Sequence, residues 1–107
     1  MALYLKNKKK IETIFEKGFT IKADSLLFKG YDFKDDEIKY GVSVSKKFFP
    51  FAVDRNLIKR RIKEQAKNVK LTGLISKGVS FFLIYTSNQV LHSNDIKRSF
   101  EGLSQKL

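Results

Sequence analysis

The stretch FAVDRNLIKRRIKEQAKNVK, residues 51–70, decides the fold, because it has the pattern of one helix with an apolar side and a basic side. At about 100° per residue, its apolar side chains fall within one narrow sector, the stripe that a helix needs to pack on a sheet. The stripe consists of Ile58, Ile62, Ala66 and Val69. The sequence therefore predicts a helix that lies on a β-sheet.

An adjacent sector of the same helix carries long hydrogen-bond donors. Its members are Asn56, Lys59, Arg60, Lys63 and Lys67. The two acids of the stretch, Asp54 and Glu64, project elsewhere by the same helical count. A solvated helix face usually mixes signs, whereas a stripe of one sign repels itself. The pattern favours a polyanion on this face, and a merely soluble surface is the alternative.

The net charge of +11 is confined to two parts of the chain. Residues 46–70 carry nine Lys or Arg and two acids, and residues 6–10 carry four Lys, so these segments hold the whole excess. This localisation predicts a surface for a phosphate backbone. Lys8, Lys9 and Lys10 begin a predicted helix, the wrong end for the helix dipole, which favours a ligand there as well.

The length of 107 residues suits one modest core, so we expect a single domain over residues 1–107 with no separate catalytic module. Cysteine is absent, which excludes disulfides and thiolate metal sites. The N-terminal MALYLKNKKK lacks the apolar run of a signal peptide, and no stretch reaches the length of a membrane span. We therefore expect a soluble protein of the cytoplasm.

The remaining periodicities predict an α/β sandwich in the order α-β-β-β-α-β-α. Helices are expected at residues 7–17, 51–70 and 95–106, the last capped by Ser93 or Asn94. A mixed sheet of about four strands is expected from residues 19–22, 25–33, 38–45 and 79–86. The polar turn KDDE, residues 34–37, predicts a hairpin between the second and third strands. VSFFLIYT, residues 79–86, is apolar on both faces, which is typical of a strand in mid-sheet.

Side chains able to perform catalysis alone are scarce. His92 is the one histidine, and it lies in a predicted loop with no acid spaced to orient it. The acids of residues 34–37 have no further carboxylate or histidine at ligand spacing, so we expect a solvated turn. Neither a Walker nor a dinucleotide motif is present. We assign no catalytic residue, metal site or cofactor to the protein alone.

The run VSVSKKFFPFAVDRNLIKRRIKE, residues 42–64, closely resembles the signature of the bacterial ribonuclease P protein component. The family pattern is a Val-Ser-x-x-Lys-Lys strand end, a short link and Ala-Val-x-Arg-Asn-Arg-x-Lys-Arg on a helix. The matching positions are Lys46, Lys47, Ala52, Val53, Arg55, Asn56, Lys59 and Arg60. Leu57 stands where the family has its second arginine, whose part the neighbouring Arg61 could take over.

The link before the helix also departs from the family pattern, because it carries Phe48, Phe49 and Phe51. Many relatives have glycine or polar residues at these positions. Phenylalanine in such a link fits a cap on the core, and it also fits a surface for base stacking. We transfer no family role to these three rings.

The resemblance implies a ribonucleoprotein endonuclease that removes the 5′ leader from precursor tRNA. In that family the RNA carries the active site and Mg²⁺, and the protein holds the leader in a cleft between its sheet and first helix. The implied cleft residues are Ile11, Phe15, Lys29 and Tyr31. The expected RNA-binding residues are Lys46, Lys47, Arg55, Asn56, Lys59, Arg60, Lys63 and Lys67. The family also implies a left-handed β-α-β crossover, against the usual right-handed rule.

Three other interpretations share some of these features. A small ribosomal protein would have the same charge, size and α/β build, but it would associate with ribosomal subunits. A self-sufficient nuclease would cleave precursor without RNA, and the missing acid, base and metal sets speak against it. A DNA-binding domain could place the basic helix in a major groove, but no second helix is joined to it by the tight turn of a helix-turn-helix.

Overall fold

The structure is a computed structural model that describes residues 3–4, 8–68, 73, 75 and 77–106. Its helices are α1 (Lys8–Lys17), α2 (Ala52–Asn68) and α3 (Ser93–Lys106). Its strands are β1 (Leu3–Tyr4), β2 (Phe19–Ala23), β3 (Leu26–Asp32), β4 (Lys39–Ser43) and β5 (Val79–Tyr85). The predicted order α-β-β-β-α-β-α is confirmed, with the short strand β1 in front of it. Lys6, Val69 and Lys70, which entered the predictions, lie outside the described residues.

The strands form one mixed sheet in the order β1-β4-β5-β3-β2. β5 pairs in parallel with β4 and antiparallel with β3, and β1 pairs in parallel with β4. Because β4 and β5 are parallel neighbours joined through α2, they form a β-α-β unit. The left-handed path of that unit stays a prediction from the family resemblance.

The predicted hairpin between β3 and β4 is wrong, because β5 lies between these two strands. A strand that is apolar on both faces buries most of its apolar surface when it lies in the middle of a sheet. The β3–β4 connection instead spans the start of β5. The Phe33 amide donates to the Gly78 carbonyl (2.9 Å), and the Gly78 amide donates to the Glu37 carbonyl (3.0 Å). Gly78 has a φ of 92°, which other residues rarely adopt.

The main core lies on the face of the sheet that α2 and α3 cover. Buried side chains alternate along the central strands, with Leu26 and Phe28 from β3 and Phe81 and Leu83 from β5. The helices add Ile58, Ile62 and Ala66 from α2 and Ile96, Phe100 and Leu103 from α3. Burial of each large apolar side chain contributes about 1.5–3 kcal/mol, so this layer is the main source of stability.

α1 packs on the opposite face of the sheet and covers only part of it. Phe82 and Lys29 alternate with core residues along β5 and β3, and both contact Phe15 of α1. Ile14 of α1 is fully buried and lies outside the main core cluster. Leu27 is one row further along this face and is only partly buried. One face of the sheet therefore carries the main core, and the other is partly open.

Gly41 of β4 makes room for the ring of Phe82. The two residues are register partners across β4 and β5, and a Cβ added at Gly41 would overlap Cε1 of Phe82. The observed ring position is therefore compatible only with glycine at residue 41. The centroid of the Phe82 ring lies 5.4 Å from that of Phe15. Because Gly41 leaves room for the Phe82 ring, it also affects the position at which Phe82 contacts Phe15.

We expect Gly41→Ala to destabilise the fold by about 1–3 kcal/mol, because the added methyl displaces the Phe82 ring or bends the strand. Chemical denaturation measures this change. Gly73→Ala is the matched control, since nothing lies within 4 Å of a Cβ at that position. In a double variant with Phe82→Ala the two effects should be strongly non-additive. Simple additivity would show that steric overlap with the ring is not the cause.

Candidate nucleic-acid interface

A shallow, open depression of about 650 Å³ runs along α2. It is lined by Asn56, Lys59, Arg60, Lys63, Glu64 and Lys67. The structure thus brings together the five donors that the helical count placed in one sector. Glu64 corrects the prediction of a face without carboxylates, because it lines the same depression. The lining therefore has four positive groups and one negative group, and it keeps a clear positive excess.

The geometry of α2 explains why these donors face solvent. Ile58 and Ile62 are completely buried against the core, so the neighbouring sector of the helix must point away from the sheet. Asn56 and Arg60 are exposed, and Lys59 is half-buried. Exposed charges interact over a Debye length of about 8 Å at physiological salt. Positive groups that share one depression therefore act together on a polyanion.

Two further arginines of α2 are bound to the protein backbone. Arg55 Nη1 donates to the carbonyls of Phe49 (2.8 Å) and Pro50 (2.9 Å). Arg61 Nη1 donates to the Leu91 carbonyl (2.6 Å), which ties α2 to the loop before α3. RNA binding by Arg55 stays a prediction, and the hydrogen bonds that the structure shows for it fix the link before α2. Arg61 likewise binds the backbone of the protein and holds the loop before α3.

Of the three phenylalanine rings in the link between β4 and α2, one is buried and two are exposed. Phe49 is buried, with its ring centroid 5.9 Å from that of Tyr85. Phe48 and Phe51 are 52% and 70% exposed. The predicted binding residues Lys46 and Lys47 are exposed in the same link and do not line the depression on α2.

On the opposite face of the sheet, Phe15, Phe82 and Lys29 lie together where α1 leaves part of the sheet open, and we call this region the α1 cleft. The Phe15 side chain is 42% exposed although its ring contacts Phe82. Lys29 Nζ lies 5.6 Å from the centroid of the Phe15 ring and donates to the Phe15 carbonyl (3.2 Å). The cleft thus presents an aromatic ring beside a positive charge, which suits a stacked base with its phosphate.

The other predicted cleft residues lie close by. Tyr31 is on the same face of β3 as Lys29, and its ring packs edge-on against Phe33 with centroids 4.8 Å apart. Ile11 lies one turn before Phe15 on α1 and is partly buried. The structure therefore places Ile11, Phe15, Lys29 and Tyr31 on one side of the sheet, and their role as cleft residues stays a prediction.

The lysines at the start of α1 differ in their surroundings. Lys8 and Lys9 are exposed, whereas Lys10 Nζ lies 2.6 Å from Asp35 Oδ2 and 4.9 Å from the centre of the Phe33 ring. The hydrogen bond from Lys10 is the main reason why the pKa of Asp35 lies below its usual value. The sequence favoured a ligand for these lysines. For Lys10 the structure shows a partner within the protein, Asp35.

Phe82 is the cleft residue that the sequence analysis missed. The strand VSFFLIYT has apolar side chains on both of its faces. Its sequence therefore does not distinguish Phe82 from the core residue Phe81. The available signal was Gly41, because a glycine inside a strand pattern often marks a close approach. The residue that approaches Gly41 could be identified only from the pairing of β4 with β5, which the structure supplies.

The acids and the histidine were the remaining candidates for metal binding or catalysis. Within the residues that the structure describes, no group of three His, Asp or Glu side chains is placed to hold a metal ion. His92 is exposed, and its carbonyl accepts the first amides of α3, from Asp95 and Ile96. No helix in the described part of the chain is long and apolar enough to cross a membrane.

The chain was compared with known proteins. Residues 2–107 match the family described as Ribonuclease P. The RNase P protein of Staphylococcus aureus is similar in structure, with a TM-score of 0.80 and 27% identity over 99% of this chain and 95% of that chain. The RNase P protein of Thermotoga maritima has a TM-score of 0.78 at 20% identity over 97% and 96%, and it shows the fold alone. No curated protein sequence matches this chain.

The family match extends over nearly the whole chain, which favours the ribonuclease P interpretation over the ribosomal one. RNA binding follows from the family, and so does the ribonuclease P RNA as partner. The chain therefore belongs to the ribonuclease P protein family, and it is a protein subunit of the ribonucleoprotein enzyme that matures the 5′ end of tRNA.

Proposed function

We propose that the α1 cleft holds the 5′ leader of precursor tRNA while the α2 side of the protein binds the ribonuclease P RNA. The half-exposed Phe15 ring, packed on Phe82 with Lys29 beside it, is the observation that carries the proposal. A single-stranded leader exposes unstacked bases and phosphates. A ring and an ammonium group can hold it without reading its sequence.

The RNA subunit is assigned to the depression on α2 and to the link before it. This surface comprises Lys46, Lys47, Asn56, Lys59, Arg60, Lys63 and Lys67, with Arg55 in a supporting role through its hydrogen bonds to the link. α1 and α2 lie on opposite faces of the sheet. The leader and the RNA subunit can therefore occupy the protein at the same time.

On this proposal the protein contributes binding, and bond cleavage belongs to the RNA. Mg²⁺, which the family implies, is expected on the RNA, since the described residues assemble no acidic cluster for it. The compartment that we propose is the cytoplasm. Positive groups beside the RNA reduce the number of cations needed to offset phosphate repulsion, so the protein should lower the Mg²⁺ requirement.

Reconstitution tests this proposal directly. The protein, mixed with a bacterial ribonuclease P RNA at low Mg²⁺, should restore removal of the leader from precursor tRNA. The RNA alone at the same Mg²⁺ concentration is the control, and cleavage by the protein without RNA is not expected. If the protein leaves the Mg²⁺ dependence of the RNA unchanged, the proposed role is wrong.

Lys59→Ala should weaken binding of the RNA subunit and reduce the slope of log K against log salt by about 1 unit, because one phosphate contact is lost. Binding measured across a series of salt concentrations gives the slope. Lys97→Ala removes an exposed lysine from α3, outside the depression, and should leave the slope unchanged. Equal slopes for Lys59→Ala and the unmodified protein would place Lys59 away from phosphate.

Phe15→Ala should cost about 1–3 kcal/mol in binding of leader-bearing precursor and little for mature tRNA, because a stacked base is lost. Affinities of both RNAs for the reconstituted enzyme provide the comparison. Phe19→Ala is a matched control, since Phe19 is similarly exposed at 45% but its ring stacks on Phe28 of the main core. Equal losses for precursor and mature tRNA would mean that Phe15 does not contact the leader.

A further inference from the structure

We infer that Phe48 and Phe51 form an aromatic platform on which unpaired bases of the ribonuclease P RNA stack. The inference rests on the proposed docking of the α2 side on that RNA, and it adds a stacking contact to the ionic one. Phe48 is 52% exposed, Phe51 is 70% exposed and the neighbouring Val53 is 78% exposed. Single exposed apolar residues are common, but two exposed phenylalanine rings within residues 48–51 concentrate apolar surface in one short link, which favours an interaction site there.

The backbone that carries the platform is fixed at its start. Ser45 Oγ accepts hydrogen bonds from the amides of Lys47 (3.1 Å) and Phe48 (3.4 Å), and the Ser45 carbonyl accepts one from the Phe49 amide (3.0 Å). The ring of Phe49 is buried in the core beside Tyr85. Phe49 therefore anchors the link from within, while Phe48 remains on the outside.

The backbone is also fixed at its end. Arg55 Nη1 donates to the carbonyls of Phe49 (2.8 Å) and Pro50 (2.9 Å), and the Arg55 amide donates to the Phe51 carbonyl (3.3 Å). The protein thus uses one arginine of its basic helix to hold the link that displays the rings. Because the backbone is already ordered, little conformational entropy is lost when a ligand covers Phe48 and Phe51.

Charge decides between the possible occupants of the patch. Lys46 and Lys47 are exposed directly before it, and the positive depression on α2 begins at Asn56 directly after it. A second copy of this chain would bring the same positive groups face to face and carry a net charge of +11 of its own. A nucleic acid offers bases for the rings and phosphates for the lysines, so it fits both parts of the surface.

The position in the fold selects the RNA subunit over the leader. The platform continues into α2, which packs on one face of the sheet, whereas Phe15 and Lys29 of the α1 cleft lie on the other face. The platform directly precedes the depression along the chain, so one partner can contact both. Stacking on the platform would orient the RNA subunit along α2, and the lysines would supply most of the salt-dependent affinity.

A single tryptophan tests the stacking directly, because the chain contains none. In the Phe51→Trp variant, titration with ribonuclease P RNA should quench the indole fluorescence as a base covers it. Inorganic polyphosphate supplies the same charge without bases and should bind without comparable quenching. Val53→Trp is the matched reporter next to the platform, and it should be quenched less than Phe51→Trp.

Removal of the rings should weaken binding without altering its ionic part. Phe48→Ala and Phe51→Ala should each lower the affinity for the RNA subunit by about 5- to 150-fold, the usual range for loss of one stacked base, with an unchanged salt slope. Phe51→Tyr should restore most of the affinity because it keeps a ring face. Val90→Ala removes an exposed apolar side chain from the loop before α3, outside this surface, and should change the affinity by no more than about twofold. All these side chains are exposed, so thermal melting should confirm that the variants fold.

Three outcomes would overturn the inference. Equal quenching by polyphosphate would mean that the rings sense charge alone, and quenching by a leader oligonucleotide but not by the RNA subunit would assign the platform to the leader. Sedimentation that shows a dimer lost in Phe51→Ala would assign it to a second copy. Lys59→Ala and Phe15→Ala report on the proposed function independently. Their effects would persist if only the platform failed and would vanish if the docking itself were wrong.

Discussion

The need to cover β5 on both faces is the constraint on which the rest of this structure depends. β5 occupies the middle of the sheet, with β4 parallel to it on one side and β3 antiparallel to it on the other. α2 and α3 cover most of one face, and α1, ten residues long, covers only part of the other. The cleft beside Phe15 is therefore the area of an apolar sheet that a short helix leaves open.

The basic helix shows how one element can stabilise the fold and prepare a binding surface at once. Its apolar stripe is buried by the sheet, and its donors are thereby turned outward. Arg55 and Arg61 hold the segments that precede and follow it, at Phe49, Pro50 and Leu91. The remaining positive groups are concentrated in one depression, which disfavours the isolated protein through mutual repulsion and favours the complex with a polyanion.

Local patterns predicted the helices, the strands and the shared sector of Asn56, Lys59, Arg60, Lys63 and Lys67, because each depends only on the period of one element. Pairing between strands is a long-range property, so the turn at residues 34–37 suggested a hairpin where β5 intervenes. The same limit applies to side-chain partners. Asp35 lies 25 residues from Lys10, and the carbonyls bound by Arg55 leave no trace in composition or spacing.

The sheet also keeps the charges on the α1 side apart from those on the α2 side. The shortest extent of the protein is 22 Å, and the Debye length at physiological salt is about 8 Å. Two polyanionic strands bound on opposite sides of the protein would therefore repel each other only weakly. On the proposed function, a change in the charge of one side would therefore alter binding on the other side only weakly.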